Sequence, residues 1–203
     1  MRIIEDGRAP NPRRVRIFLA EKGITIDYEQ LDITEAQHKA AGFTKLNPMQ
    51  RVPVLVLDDG TAITETMAIC RYFEELQPDP PLMGTGPLGK AIVEMWQRRM
   101  EFNLFFPITQ HFRHLHPAMK EMEKPQVAEW GQANKPRVLD MLAFLEGELA
   151  DRPYISGNDF SVADITAMVA VNFMKPAKIE RPENSPNLDR WYADLTSRPS
   201  AQA

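Results

Sequence analysis

Asn11 stands between two prolines in the stretch APNPRRVRIF (residues 9–18), directly ahead of apolar residues at helical spacing. Pro12 fits the first position of a helix, where a missing N–H costs nothing, and it pushes the residue before it towards extended geometry. Asn11 is therefore expected as the N-cap, its oxygen accepting from the amide of Arg13 or Arg14. The same side chain carries a donor. A helix N-terminus with an added donor is suited to stabilising an anion. A second proline, Pro53 in RVPVLV, opens a strand-like run; it removes a ladder donor and leaves a backbone edge that an extended peptide can occupy. In TET (64–66), Thr64 is expected to cap the following helix, with Glu65 in its first turn. The histidines of HFRHLH (111–116) have no second ligand cluster with metal spacing, so no metal is expected. Cys70 is the sole cysteine, which excludes an internal disulfide and a Cys-x-x-Cys pair; beside Ile69 on an apolar stripe it reads as a small buried hydrophobe.

The elements that position these residues change character along the chain. RII (2–4) reads as a short strand, and Val15, Phe18 and Leu19 follow helical spacing up to a stop at Gly23. IDYEQLDI (26–33) alternates with a one-residue phase slip, as a strand with a bulge or an early end does. VPVLVLDDGTAI (52–63) reads as a hairpin turning at Asp59-Gly60, residue types that tolerate positive φ. Ile69, Tyr72, Phe73 and Leu76 then mark an amphipathic helix. The order is βαβ, a connecting segment, then ββα.

QPDPPLMGTGP (77–87) cannot continue a helix and reads as a linker. Beyond it, 91–112 and 127–149 carry long helical patterns, with kinks or breaks expected at Pro107 and Pro136. Ser161 and Asp164 have the spacing of a capping box ahead of an apolar run, an element of folding and stability. The expected domains are 1–77, a linker at 78–87, and an all-helical 88–203.

With 203 residues, 43% of them hydrophobic, a formal charge of −4 and a pI near 5.6, the chain has core enough for one or two domains and no field for nucleic acid or an anionic membrane. RRVR (13–16) reads as a solvated helix face. The start MRIIEDGRAP lacks an apolar stretch of signal-peptide length, and no later run approaches a membrane span. A cytoplasmic, reducing location is expected.

APNPRRVRIFLAEKGI (9–24), KLNPMQRVPVLVLDDG (45–60), ITETMAICRYFEE (63–75), YISGNDFSVADI (154–165) and the ending LDRWYADLTSRPSAQA together resemble, in order and over nearly the whole chain, the soluble glutathione transferases of bacterial type. The resemblance implies an α/β thioredoxin-like N-terminal domain (βαβ-ββα) followed by an all-α helical domain. It implies glutathione as cosubstrate and a homodimer. By this resemblance the cysteinyl backbone of glutathione pairs with Val52 ahead of a cis Pro53. The γ-glutamyl end meets Glu65 and Thr66, where free N–H groups at a helix N-terminus suit a carboxylate. For the glycyl carboxylate, His38 lies nine residues before Asn47, the interval of a glutathione-contacting histidine in theta-like members; Arg51 matches a lysine position there, and Gln50 and Lys45 are further candidates. The electrophile lies between the first loop and the helical domain in this family, so Phe102, Phe105, Phe106 and Phe112 are candidate wall residues, although such spacing also suits ordinary core.

The family's chemistry needs the glutathione thiol as thiolate. No tyrosine precedes Tyr28, Ala9 stands where serine-type members carry a hydroxyl, and no early cysteine is present. APNP resembles a bacterial Thr-Pro-Asn-Gly loop with the threonine lost, which leaves Asn11 as the catalytic candidate. The Ser-Ser-Cys loop of zeta-like isomerases is absent. The expected activity is attack of glutathione thiolate on a hydrophobic electrophile. Glutathione-dependent disulfide or peroxide reduction, and a non-catalytic glutathione binder, are the alternatives.

Overall fold

Ile3 and Ile4 are consecutive in β1 (Arg2–Glu5) and so send their side chains to opposite faces of a sheet. The computed structural model describes every residue from Met1 to Ala203 and divides into two units, Met1–Leu82 with Pro199–Ala203, and Met83–Arg198. In the first unit β1 is followed by α1 (Pro10–Glu21), β2 (Asp27–Gln30), a 3-10 turn (Gln37–Lys39), α2 (Ala41–Leu46), β3 (Val54–Val56), β4 (Ala62–Ile63) and α3 (Thr66–Leu76). The sheet order is β2-β1-β3-β4, with β1 parallel to β2 and the other pairs antiparallel. Ile4, Val54 and Val56 cluster with Phe43 of α2 on one face. Ile3 and Leu55, opposite each other in register, point to the other face and are fully buried, as are Val15 and Phe18 of α1 and Ile69 of α3. Each such side chain contributes about 1.5–3 kcal/mol.

Local sequence accounts for most boundaries. α1 stops in a Schellman motif: Gly23 takes φ +65° and donates to the carbonyl of Ala20, while Ile24 donates to that of Leu19. β2 ends early, at Gln30, where the phase slip falls, and Leu31 donates to the carbonyl of Glu5. In the β3–β4 loop Gly60 alone takes positive φ, +87°; Asp59 instead accepts from the amide of Thr61.

The second unit is helical: α4 (Gly86–Met100), a π-helical turn (Glu101–Phe105), α5 (Phe106–Leu115), α6 (Ala128–Glu148), α7 (Val162–Met174) and α8 (Pro186–Ser197). The π turn ends at Phe105, two residues before Pro107, whose missing N–H breaks the i→i−4 ladder. Pro136, by contrast, does not interrupt α6, which runs 21 residues through it; packing along α5 outweighs one lost hydrogen bond. Gly131 permits that packing, because a Cβ there would lie 2.8 Å from Leu115 Cγ.

α7 is buried from Val162 to Val171. Its capping box forms as expected, and the carboxylate of Asp164 accepts from the amides of Ile155 (2.9 Å) and Ser161 (3.0 Å) and from Trp191 Nε1 of α8 (2.9 Å). Burial pushes the Asp164 carboxyl upward despite these donors. Cys70 is buried as expected. No helix is long and apolar enough to cross a membrane.

Candidate functional site

Strand direction gathers the sequence-predicted residues of the first unit at one end of its sheet. β1 and β2 run parallel, so the segments that leave them, carrying Asn11 and His38, emerge at the same end. β3 is antiparallel to β1 and enters there through Val52-Pro53; β4 is antiparallel to β3 and leaves there into Glu65 and α3. Two helix N-termini, those of α1 and α3, therefore share that end with an entering strand. Their positive dipole ends make it favourable for anions.

The start of α1 differs from the expectation. The helix begins at Pro10, with Ala9 as an N-cap that has no side-chain oxygen, so Asn11 is the second helical residue and caps nothing. Both prolines fit because the first helical N–H groups lack intrahelical partners in any case. Pro10 and Pro12 have no N–H, which leaves Asn11's backbone N–H as the one peptide donor among the first three helical residues. The Asn11 side chain turns along the helix, where its Oδ1 accepts from Arg14 Nη1 at 3.1 Å; Arg14 is 3% exposed.

The loop before α1 is held by charge. Asp6, 2% exposed, accepts from the backbone and side chain of Arg8 (3.0, 2.9 and 2.7 Å) and from the amide of Ile33 (3.1 Å). Arg8 also donates to Asp32 at 2.7 Å, bridging this loop to the segment that leads to His38. The Arg8 hydrogen bond, ahead of opposing burial, holds the Asp6 carboxyl below its usual range; Thr34 and then Arg8 do the same for Asp32. Neither acid stood out in the sequence: Arg8 and Thr34 are local partners, but the contacts that join the two segments, Arg8 to Asp32 and Ile33 to Asp6, span 24 and 27 residues.

His38 sits in the 3-10 turn and is 6% exposed, with no protein partner for its Nδ1. Burial, reinforced by the charges of Lys39 and Arg51, lowers its pKa below the ordinary histidine value, so the ring is neutral near pH 7. Asn47 shapes the next stretch: its Nδ2 donates to the carbonyl of Arg51 (2.7 Å), and its Oδ1 accepts from the amide of Met49 (3.0 Å). The Asn-Pro dipeptide is a turn signal for it. Gln50 takes φ +54° and donates to Thr44 Oγ1 at 3.1 Å, and the Val52-Pro53 bond is cis. Thr64 is not the cap of α3. Glu65 occupies that position with φ +67°, a conformation that costs a non-glycine residue about 1–3 kcal/mol, and Thr66 is the first helical residue, 7% exposed.

The aromatic candidates lie in the second unit in different settings. Phe102 and Phe106 are 54% and 43% exposed, Phe105 is buried at 5%, and Phe112 packs edge-on against Phe173 and stacks on His116. The three histidines each bond the backbone: His111 Nδ1 to the carbonyl of Gly131 (2.9 Å), His114 Nδ1 from the amide of Val127 (3.0 Å), and His116 Nδ1 from that of Ala118 (3.2 Å).

Comparison with known proteins gives the family. Residues 9–76 match the family model for the glutathione S-transferase N-terminal domain, and 96–199 match that for the C-terminal domain. The chain is 36% identical to glutathione S-transferase 2 of Saccharomyces cerevisiae, over 100% of its own length and 88% of that protein. Among solved structures it resembles a glutathione S-transferase domain-containing protein of Marinobacter aquaeolei (TM-score 0.96, 35% identity, 98% of this chain and 99% of the other). It also resembles a Gtt2-class glutathione S-transferase of Vibrio parahaemolyticus (TM-score 0.88, 35% identity, 100% and 96%).

Proposed function

The chain belongs to the glutathione S-transferase family, and from that premise we propose that it binds glutathione at the gathered end of the first unit's sheet and activates its thiol for attack on a hydrophobic electrophile. The observation that carries the proposal is the convergence there of two helix N-termini with a buried His38 whose Nδ1 has no protein partner. A neutral imidazole nitrogen in need of a partner suits one end of a peptide ligand, and the N-terminus of α3 suits the other.

In this reading the glycyl carboxylate meets His38, with Gln50 and Arg51 beside it. The cysteinyl backbone pairs with Val52 at the strand start that Pro53 opens. The γ-glutamyl carboxylate meets the free N–H groups at Thr66, and Glu65 takes the amino group. The sulfur faces the start of α1. There its proton leaves to solvent, and the thiolate is held by the helix dipole and by Asn11, through both backbone and side-chain donors. The thiolate electron pair then forms a C–S bond to the electrophilic carbon. A leaving group departs with its bonding pair or, in an addition, the displaced π electrons take up a proton.

The exposed Phe102 and Phe106, with Phe112, supply apolar contact for the electrophile; Phe105, within the core of the second unit, supports them. A second copy of the chain is the proposed partner: Leu88 and Met95, seven residues apart on α4, are 73% and 41% exposed. Conjugation of glutathione to a panel of hydrophobic electrophiles, with peroxides and mixed disulfides assayed in parallel, tests the activity. Turnover of one or more electrophiles is expected. Saturable glutathione binding with no conjugation anywhere in the panel contradicts it.

A further inference from the structure

We infer that Arg14 is a positioning residue for this reaction: its guanidinium holds the oxygen of Asn11, so that the amide's Nδ2–H end is the one left for the glutathione sulfur. The inference rests on the reading of Asn11 given above. The argument comes from donor counting. A guanidinium has five N–H donors and no acceptor, whereas an amide has one acceptor end and one donor end. Arg14 Nη1 lies 3.1 Å from the Asn11 side chain, and turning the amide over would set N–H against N–H. The spacing is i, i+3, so both side chains lie along one face of the first turn.

The other arginines of α1 are directed elsewhere. Arg13 donates to the carbonyl of Ala201 (2.9 Å), and Arg16 pairs with Glu5 (2.8 Å) and donates to the carbonyl of Gly7 (2.9 Å). Arg14 is the one that turns back onto Asn11, and at 3% exposure its charge is little screened by water. A cation on the oxygen polarises the amide and strengthens its N–H as a donor. RRVR is thus more than a solvated face. Asn11 contributes the contact to sulfur; Arg14 acts through it.

A double-mutant cycle tests this, reading the pKa of enzyme-bound glutathione from the ultraviolet thiolate band against pH in the full-length protein. Asn11→Ala and Arg14→Met are each expected to raise that pKa, reducing thiolate below it by about tenfold, the effect of one hydrogen bond to an anion. The double variant is expected to match Asn11→Ala alone, because Arg14 has nothing left to position. Arg14→Lys, which keeps a cation but not the planar fork, is expected to shift the pKa less and likewise only when Asn11 is present. It supplies the same cycle should Arg14→Met fail to fold. KM for glutathione is expected to stay near that of the unmodified protein while kcat falls. Equal Arg14 shifts with and without Asn11, or no Arg14 shift at all, overturn the inference and leave Asn11's role standing. An Asn11→Ala variant with an unchanged pKa overturns both.

Discussion

Replacing Lys22 with methionine removes a charge that the first unit has enclosed completely. Its side chain is 0% exposed and its Nζ lies 2.7 Å from Glu74 Oε2, 2.7 Å from the carbonyl of Gln77 and 2.8 Å from that of Pro80. One ammonium thereby ties the end of α1 to the last turn of α3 and to the segment beyond it. Methionine keeps the stem but withdraws the cation from the Glu74 carboxylate, which is itself 8% exposed. Truncating one partner of a buried ion pair costs about 3–5 kcal/mol. Hydrogen bonds from a charged donor are worth about 1.5–3 kcal/mol each, so the loss of two to carbonyls places Lys22→Met in the upper half of that range. Against a total stability of about 5–15 kcal/mol this is a severe defect. Urea denaturation followed by circular dichroism measures it, and amide exchange in α1 and α3 localises it. Lys22→Met with Glu74→Met should recover part of the loss, because the buried carboxylate that Lys22 faces goes too. A loss below about 1 kcal/mol in the single variant, against the range expected for a buried pair, would refute the reasoning.

Glu65→Gly relieves the positive φ at the start of α3 and is expected to stabilise the protein by about 1 kcal/mol in chemical denaturation, while raising KM for glutathione; a destabilised variant would show that Glu65 makes a structural contact instead. Gly131→Ala, although alanine is the better helix former, is expected to cost about 1–3 kcal/mol because its Cβ would lie 2.8 Å from Leu115 Cγ, and thermal unfolding reads this out. His38 has a lowered pKa, so its neutral form contributes stability that is full above the unfolded value of 6.5 and lost as pH falls through the folded value. His38→Gln should therefore flatten stability against pH in the window below 6.5; an unchanged acid limb counts against a buried neutral ring.

Legibility in the sequence followed the range of the interaction. The capping box at Ser161 and Asp164 joins residues three apart and was readable from residue types, yet Trp191 as a further donor to the same carboxylate was not, being 27 residues away. The βαβ-ββα order of elements along the first unit and the helical second unit followed from periodicity and turn residues, whereas the order β2-β1-β3-β4 within the sheet did not. α1 starts two residues ahead of the position Pro12 predicts, because Pro10 and Pro12 both suit a first turn and nothing local ranks one above the other. The uninterrupted helix at Pro136 depends on packing along α5, which overrides local preference, and nothing in the residue types around Glu65 marks its positive φ. The Asp6–Arg8–Asp32 bridge was invisible because Arg8 and Asp32 lie 24 residues apart.

The thiolate band of glutathione bound to the unmodified protein bears most directly on the proposed chemistry. Titrated against pH, the bound thiol should ionise well below the ordinary thiol value of about 8.5, with the thiolate already present near neutrality and conjugation rate rising along the same curve. Glutathione that binds saturably but shows no thiolate band until its solution pKa would contradict the account, leaving a protein that holds the peptide without activating its sulfur.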